Sequence, residues 1–325
     1  MDTTKPSEEN YNDRPRCLVT VDVEGDDLWS RPRTITTRNA KFLPRFQSLC
    51  EAYDLNPTYL TNFEMVKCPD FQEFGRDVIR RGRGEIGMHL HAWNSPPLLP
   101  LTSDDFNYHP YLVEYPEHVM RQKITFLTEF LEDTFGVKMV SHRAGRWGFN
   151  EAYARILVEN GYQVDSSVTP HLSWSRTLGD PSQSGGSDYS QFPETPYLVN
   201  LEDISRRGTS PLLEVPVTTQ KILMKEGTTH FFVKWLRPNG RNLQALLRIM
   251  GQASEERREC VVLVIHSSEL MPGGSPTFRQ TADIESLYRD LEVLFTTVSK
   301  MFYGVTLTDF YCEFCRRHAA RQAKN

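Results

Sequence analysis

Short apolar runs alternate with amphipathic helical stretches along most of this 325-residue chain. The apolar runs have the length of buried strands, and the stretches between them repeat apolar residues at helical spacing. Strands separated by helices run parallel, because each helix carries the chain back along the sheet. Seven or eight such strands favour a closed or nearly closed (β/α) barrel over an open sheet.

The boundaries follow from turn and capping residues. The first predicted strand begins at Cys17. The others are predicted over 57–61, 85–91, 139–143, 163–167, 213–217, 261–265 and 304–307. Helices are predicted near 42–53, 70–81, 116–136, 150–161, 242–250 and 284–301. We expect a disordered arm over 1–15, one barrel domain over 16–310 and a basic helical tail over 311–325. Within the barrel, the Ser-, Gly- and Pro-rich stretch 170–211 is typical of a binding loop or lid.

Composition narrows the class of partner. A net charge of -5 with no basic face argues against nucleic-acid binding. The arginines at 76, 80, 81 and 83 fit a solvated helix end or, alternatively, a contact to an anionic substrate. The longest apolar run is too short to span a bilayer, and the N-terminus lacks a signal-peptide pattern. Cys312 and Cys315 form the one C-x-x-C, with no second pair, so they are expected to be plain thiols. We expect a cytoplasmic, reduced protein.

Two histidines stand at the end of the third predicted strand. His89 and His91 are spaced i, i+2, so their rings point to the same face of that strand. Asp22 and Glu24 have the same spacing after the first strand. Glu24, His89 and His91 would form a two-histidine, one-carboxylate metal set with open positions, leaving Asp22 free to accept a proton from water. The alternatives are ordinary hydrogen-bonded histidines and carboxylates that cap a turn.

Further polar residues also lie at strand ends, where barrel enzymes gather their chemistry. His266 is predicted to be a general acid oriented by Asp165, or else a buried structural histidine. Arg143 could hold Asp22 ionised, or form a surface salt bridge. The loop aromatics Trp93, Trp147 and Trp174 could stack on a sugar or only cover the barrel mouth. Arg146 is placed with them as a substrate-binding residue.

In this order, the motifs resemble those of polysaccharide deacetylases of the NodB-homology type, carbohydrate esterase family 4. The motifs are Asp22-x-Glu24, Gly84-Glu-Ile-Gly-x-His89, Arg143-Ala-Gly-Arg-Trp-Gly148, Asp165-Ser-Ser and Leu263-Val-Ile-His266. The sequence looks closest to the WbmS or WalW-like branch, and the resemblance covers most of residues 17–310. It implies a distorted (β/α) barrel and metal-dependent hydrolysis of an N-acetyl group on a sugar, usually with zinc, although cobalt could serve.

By this resemblance, Asp22 matches the base, Glu24 and His89 metal ligands, Arg143 the residue that orients the base, and His266 the acid. Three motifs depart from the family pattern. Val23 stands where a second aspartate is usual, and Glu24 follows it. Trp93 stands where the second metal histidine is usual, so His91 must replace it. Gly145 stands where proline is expected, and Gly148 is displaced by one residue. A catalytically silent carbohydrate-binding protein and a hydrolase of a non-sugar amide are the alternative functions.

Overall fold

The computed structural model describes residues 14–177, 185–223 and 231–322. Its strands are β1 (Arg16–Val23), β2 (Thr58–Thr61), β3 (Glu85–Leu90), β4 (Ser141–Ala144), β5 (Val164–Asp165), β6 (Tyr197–Asn200), β7 (Asp203–Arg207), β8 (Leu213–Glu214), β9 (Thr219–Leu223), β10 (Phe231–Trp235), β11 (Cys260–His266) and β12 (Tyr303–Gly304). The predicted arm lies largely outside the described residues.

The main sheet curls into a distorted barrel. Its strands follow the order β11-β1-β2-β3-β4-β5-β8-β6-β7, and β12 also pairs with β1. The run from β11 to β8 is parallel throughout, whereas β6 and β7 are antiparallel additions. On the open side of β11, single hydrogen bonds join Thr218 N–H to Val262 (3.4 Å) and Val264 N–H to Leu236 (3.1 Å). The predicted α/β fold with a distorted barrel is confirmed.

Helices cover the outside of the sheet. They are α1 (Leu43–Ala52), α2 (Phe63–Val66), α3 (Pro69–Arg80), α4 (Asp105–Tyr108), α5 (Glu117–Phe135), α6 (Glu151–Glu159), α7 (Leu243–Glu255), α8 (Thr281–Met301) and α9 (Leu307–Gln322). The signals at their ends behave as predicted: the Asn150 side chain accepts the Tyr153 N–H, and Gly136 ends α5 with a φ of 69°. No helix in the described ranges has both the length and the hydropathy required to cross a membrane.

Strand alternation divides the apolar residues between two layers. In β1, Val19, Val21 and Val23 join the core beneath the helices, whereas Leu18 belongs to a second cluster enclosed by the sheet. Residues two apart share a face, so Asp22 follows Leu18 to the inside of the barrel. This periodicity turns the carboxylates after β1 toward the barrel axis rather than toward the helices.

The C-terminal helix closes the end of the barrel at which the parallel strands begin. Leu307 and Phe310 of α9 belong to the enclosed apolar cluster. Glu85, at the start of β3, accepts the backbone N–H of Thr308 at 3.0 Å and thereby caps the first turn of this helix. The N-terminal end is therefore filled, and the C-terminal ends of the strands form the accessible mouth.

Two hairpins were not predicted from the sequence. β6 and β7 pair within the excursion 170–211, where little regular structure is expected, and β9 pairs only with β10 in a separate antiparallel sheet. The side chains of β7 and β10 are largely polar or exposed, so these two strands lack the buried apolar runs of the main sheet.

Asp165 lies on the outer side of the barrel. Val164 points into the enclosed cluster, so its neighbour Asp165 points to the helix layer. There its Oδ1 lies 2.6 Å from Nδ1 of His142, whose Nε2 lies 2.8 Å from the Tyr153 hydroxyl. The prediction that Asp165 orients His266 is therefore wrong, because the two side chains lie on opposite faces of the sheet.

The same buried cluster contains a second acid. Glu214 on β8 is the register partner of Asp165 and accepts the Val168 N–H at 3.0 Å. Burial, together with the neighbouring Asp165 charge, raises the pKa of Glu214 well above its ordinary 4.5. The pKa of Asp165 is lowered, because its bonds to His142 outweigh burial. Glu214 is therefore the protonated member of the pair.

We predict that Glu214→Gln stabilises the protein increasingly as pH rises. The folded state holds the Glu214 proton more tightly than the unfolded chain, so the wild type loses stability above the unfolded pKa of this group until its folded pKa is reached. The difference in unfolding free energy should grow by about 1.4 kcal/mol per pH unit in that window. Urea unfolding from pH 5 to pH 8 measures it, with exposed Glu202→Gln as control. A difference independent of pH would contradict the assignment.

Candidate active site

The mouth of the barrel holds a cleft of about 350 Å³. Nine of the residues predicted to form the site line it: Asp22, Glu24, His89, His91, Trp93, Arg146, Trp147, Trp174 and His266. Arg143 lies directly behind Asp22, and Asp165 is the residue excluded. The lining also includes residues that the sequence did not single out, among them Trp29, Phe106, Tyr111 and Arg237.

Glu24, His89 and His91 converge at the floor of this cleft. Glu24 Oε2 lies 3.6 Å from His89 Nε2 and 3.3 Å from His91 Nε2, and the two Nε2 atoms are 3.0 Å apart. Ligands of a tetrahedral zinc ion with bonds of about 2.0 Å are separated by about 3.3 Å. All three residues are buried, and their donor atoms form a triangle of the size that one such ion would require.

Hydrogen bonding prepares His89 to bind a cation. Its Nδ1 lies 2.9 Å from the backbone carbonyl oxygen of Arg143, which can only accept, so Nδ1 carries the hydrogen and Nε2 presents a lone pair. The adjacent Glu24 and Asp22 carboxylates raise the pKa of His89 against the effect of burial. Negative charge therefore surrounds the atom that would face the ion.

His91 fits its position because Gly145 has no side chain. A Cβ at Gly145 would lie 2.3 Å from Cδ2 of His91 and 2.3 Å from the Leu90 carbonyl oxygen. Burial and the nearby His89 and Arg146 lower the pKa of His91 well below its ordinary value, which keeps the imidazole neutral. Its Nδ1 is buried without a hydrogen-bond partner among the described residues, while Nε2 faces the Nε2 of His89. A cation between these two nitrogens fits this donor set.

Asp22 is held by a fully buried arginine. Arg143 Nη1 donates to Asp22 Oδ1 at 2.6 Å, and its Nε and Nη2 donate to the carbonyl and hydroxyl oxygens of Ser166. Burial opposes ionisation of Asp22, but the Arg143 charge, with smaller contributions from His89 and His266, lowers its pKa to about 2. The predicted partnership of Arg143 and Asp22 is present, and Asp22 Oδ2 remains available on the cleft side.

His266 faces the carboxylates from the end of β11. Its Nε2 lies 3.8 Å from Asp22 Oδ2 and 3.8 Å from Glu24 Oε1. On the other side of the ring, Nδ1 lies 3.2 Å from Glu269 Oε2 and 3.1 Å from Arg237 Nη2. Glu269 thus has the place predicted for Asp165. The sequence signal was its position three residues after His266, where a single helical turn, Ser267–Leu270, brings it back beside the ring.

Glu269 stays ionised in this arrangement. Although burial opposes it, the Arg237 charge and the His266 hydrogen bond lower the pKa of Glu269 to about 2. Arg237 Nη2 donates to Glu269 Oε1 at 2.8 Å. A carboxylate beside Nδ1 orients the ring and leaves Nε2 directed at the cleft.

Aromatic side chains form the walls. Trp93 stacks on Phe106 with ring centroids 4.4 Å apart and an interplanar angle of 13°, and it also packs on the His91 ring. Trp147 and Trp174 both contact Trp235 of the unpredicted hairpin. The predicted loop aromatics are therefore brought together at the cleft, by contacts distant in sequence.

Comparison with known proteins identifies structures that share this fold. No family model matches the sequence, and no curated protein matches it. The chain is similar in structure to a Parabacteroides distasonis protein assigned as a glycoside hydrolase/deacetylase, with a TM-score of 0.62, 12% identity and coverage of 94% of this chain and 72% of that one. A Mycobacterium smegmatis protein assigned as a polysaccharide deacetylase gives a TM-score of 0.56 at 16% identity, covering 94% and 92% of the two chains.

A third similar structure is a 4-alpha-glucanotransferase from Thermococcus litoralis. Its TM-score is 0.54 at 12% identity, and the match covers 92% of this chain but 40% of that enzyme. At these identities the likeness concerns the fold, and one fold hosts different reactions. The chain thus has the distorted α/β barrel fold of the NodB-type deacetylase structures.

Proposed function

We propose that this protein is a divalent-metal-dependent hydrolase that removes an N-acetyl group from a sugar or polysaccharide precursor. The observation that carries the proposal is the meeting of three groups in one cleft. A buried Glu24–His89–His91 triangle, an ionised Asp22 and an oriented His266 face the same space. Amide hydrolysis requires an electrophilic centre, a base for water and an acid for the departing amine, and the three groups correspond to these needs.

Glu24, His89 and His91 would hold the ion. Two imidazoles and one carboxylate suit zinc, and cobalt can replace it in such a site. A divalent ion supplies Lewis acidity there, since it polarises the acyl carbonyl and lowers the pKa of water at its open positions toward neutrality. The finer assignment to the WbmS or WalW-like branch remains part of this proposal.

Asp22 is proposed to accept the proton of the attacking water. Arg143 occupies Oδ1, so Oδ2 is the atom that receives the proton. The low pKa keeps this carboxylate ionised across the physiological range. Arg143 does not itself line the cleft and acts as a positioning residue, because it fixes both the charge state and the orientation of the base.

His266 is proposed to donate a proton to the departing amine from Nε2. Glu269 would orient the ring through Nδ1. The walls of Trp93, Trp147 and Trp174 would stack on the apolar face of a sugar ring, which orients the acetamido group toward the floor. This part of the proposal favours a sugar over a non-sugar amide.

We predict that the purified protein binds about one equivalent of zinc and that His91→Ala weakens this binding by more than about 100-fold. Even residues that only support a ligand contribute about 10- to 100-fold to metal affinity. Equilibrium dialysis with metal analysis provides the measurement, and exposed His118→Ala serves as the matched control. Equal zinc affinity in wild type and His91→Ala would contradict the ligand assignment.

Gly145→Ala should also weaken zinc binding, although it changes no donor atom. Its methyl group would need the space that the His91 ring now fills, so the ring must move away from Glu24 and His89. The same dialysis measures the effect. Gly251→Ala in α7 is the control, because a Cβ there meets no atom within 4 Å. If Gly145→Ala binds zinc as wild type does, the tight packing of His91 against Gly145 is not required for the site.

The effect of replacing His266 on the rate should depend on the leaving group of the substrate. We expect His266→Gln to lower kcat for an N-acetylated sugar by about 100- to 10,000-fold and to have a much smaller effect on an aryl acetate, whose phenolate leaves without protonation. Asp22→Asn should slow both substrates, since both require activated water. Acetate release and phenolate absorbance report the two rates.

Two results would contradict these roles. Equal losses on amide and aryl ester would exclude His266 as the acid. Binding of sugars by zinc-loaded wild type without acetate release would favour a catalytically silent carbohydrate-binding protein.

A further inference from the structure

Three arginines line the cleft, and only one of them is paired with an acid. Arg237 binds Glu269. Arg146 lies over the ring of Tyr111, 5.5 Å from its centroid, and Arg31 donates to the amide oxygen of Asn107. Within the described part of the chain, neither Arg31 nor Arg146 forms an ion pair. Arg31 is exposed and Arg146 is half-buried, so both guanidinium groups are accessible to a ligand that enters the cleft from solvent.

Arg146 is held at the cleft by an unfavourable backbone conformation. Arg146 and the next residue, Trp147, have φ values of 53° and 63°, in the left-handed region that non-glycine residues rarely adopt. Two consecutive residues of this kind carry a cost that the surrounding packing must outweigh, and such costs concentrate at functional sites. The turn Gly145–Trp147 directs Arg146 to the cleft instead of to bulk solvent.

Arg31 reaches the same region from the loop after β1. Its φ is 51°, and its N–H closes a turn by donating to Leu28 at 3.1 Å. Asp26 anchors this loop by accepting the Asn39 N–H at 3.0 Å and the Thr36 hydroxyl at 2.7 Å. The loop that carries Arg31 is therefore anchored at both ends by hydrogen bonds.

The guanidinium groups of Arg146 and Arg31 both influence the Tyr111 side chain. Burial raises the pKa of the Tyr111 phenol, and the Glu114 charge adds to this increase, whereas Arg146 and, most weakly, Arg31 oppose it. Both charges thus lie near the Tyr111 wall of the cleft. The acids of the lining do not compensate them, because Asp22 is paired with Arg143 and Glu24 belongs to the proposed metal triangle.

We propose that the substrate is an anionic N-acetylated sugar, whose carboxylate or phosphate group is bound by Arg146 and Arg31 beside Tyr111. This inference rests on the proposed deacetylase function and defines its substrate class. The forked guanidinium donates paired hydrogen bonds to carboxylate and phosphate oxygens, whereas a neutral sugar hydroxyl gains little from such a charge.

The test compares sugars that differ only in charge. The zinc-loaded protein is given N-acetylglucosamine, its uronic acid, and its 1- and 6-phosphates, and acetate release gives kcat/KM. Calorimetry with His266→Gln measures binding of the same compounds separately from turnover. We expect at least one anionic sugar to be preferred by about 10- to 100-fold in both assays, as for a charge-assisted hydrogen-bonded pair.

Arg146→Gln and Arg31→Gln should each reduce about tenfold the ratio of kcat/KM for the preferred anionic sugar to kcat/KM for the neutral sugar. Arg33→Gln is the matched control, because Arg33 belongs to the same loop but does not line the cleft. Arg146→Lys, which keeps the charge, should retain part of the preference. Preference for the uronic acid identifies a carboxylate, and preference for a phosphate ester identifies a phosphate.

Two outcomes separate this inference from the function on which it rests. Selective binding of an anionic sugar without acetate release supports the anion site and contradicts the deacetylase. Equal binding and turnover of neutral and anionic sugars, or a preference that survives both glutamine variants, overturns the anion site.

Discussion

Arg143 contacts both the proposed base, Asp22, and a proposed metal ligand, His89. Its guanidinium donates to Asp22 and to Ser166 from a fully buried position, and its backbone carbonyl accepts from His89. One residue therefore fixes the charge of the proposed base and the tautomer of a proposed metal ligand. A buried ion pair is costly unless its remaining hydrogen bonds are satisfied, and here Ser166, directly after β5, accepts them. The base and metal triangle consequently depend on the packing of β1, β3, β4 and β5.

The departures from the deacetylase motif are linked in space. Trp93 occupies the sequence position of the usual second histidine, but it packs as a wall against the His91 ring. Gly145, in place of proline, leaves the room that this ring requires. Glu24 reaches both histidines although it comes one residue later than the usual aspartate. Changes that look independent along the chain thus surround one histidine, which is consistent with an altered ligand set rather than a lost one.

The cleft is asymmetric in charge. Its floor gathers carboxylates and histidines, and its outer wall near Tyr111 carries Arg31 and Arg146. A divalent ion would balance the floor. On the wall, Glu114 accepts the backbone N–H of Tyr111, but within the described residues neither Arg31 nor Arg146 forms an ion pair. The proposed reaction and the proposed substrate class therefore rely on separate groups, and either can be tested while the other is left intact.

The sequence determined the parallel α/β architecture, because apolar runs and helical periodicity are local patterns that decide which faces are buried. It also placed Asp22, Glu24, His89, His91 and His266 at one end of the sheet, since alternation fixes the direction of each side chain. Only the tertiary structure decided which strand-end residues meet. Asp165 was assigned by position but points outward, and Glu269 takes its place because the helical turn after His266 brings it back beside the ring. The hairpins β6–β7 and β9–β10 were missed because β7 and β10 carry mostly polar or exposed side chains and are held by pairing with the neighbouring strand.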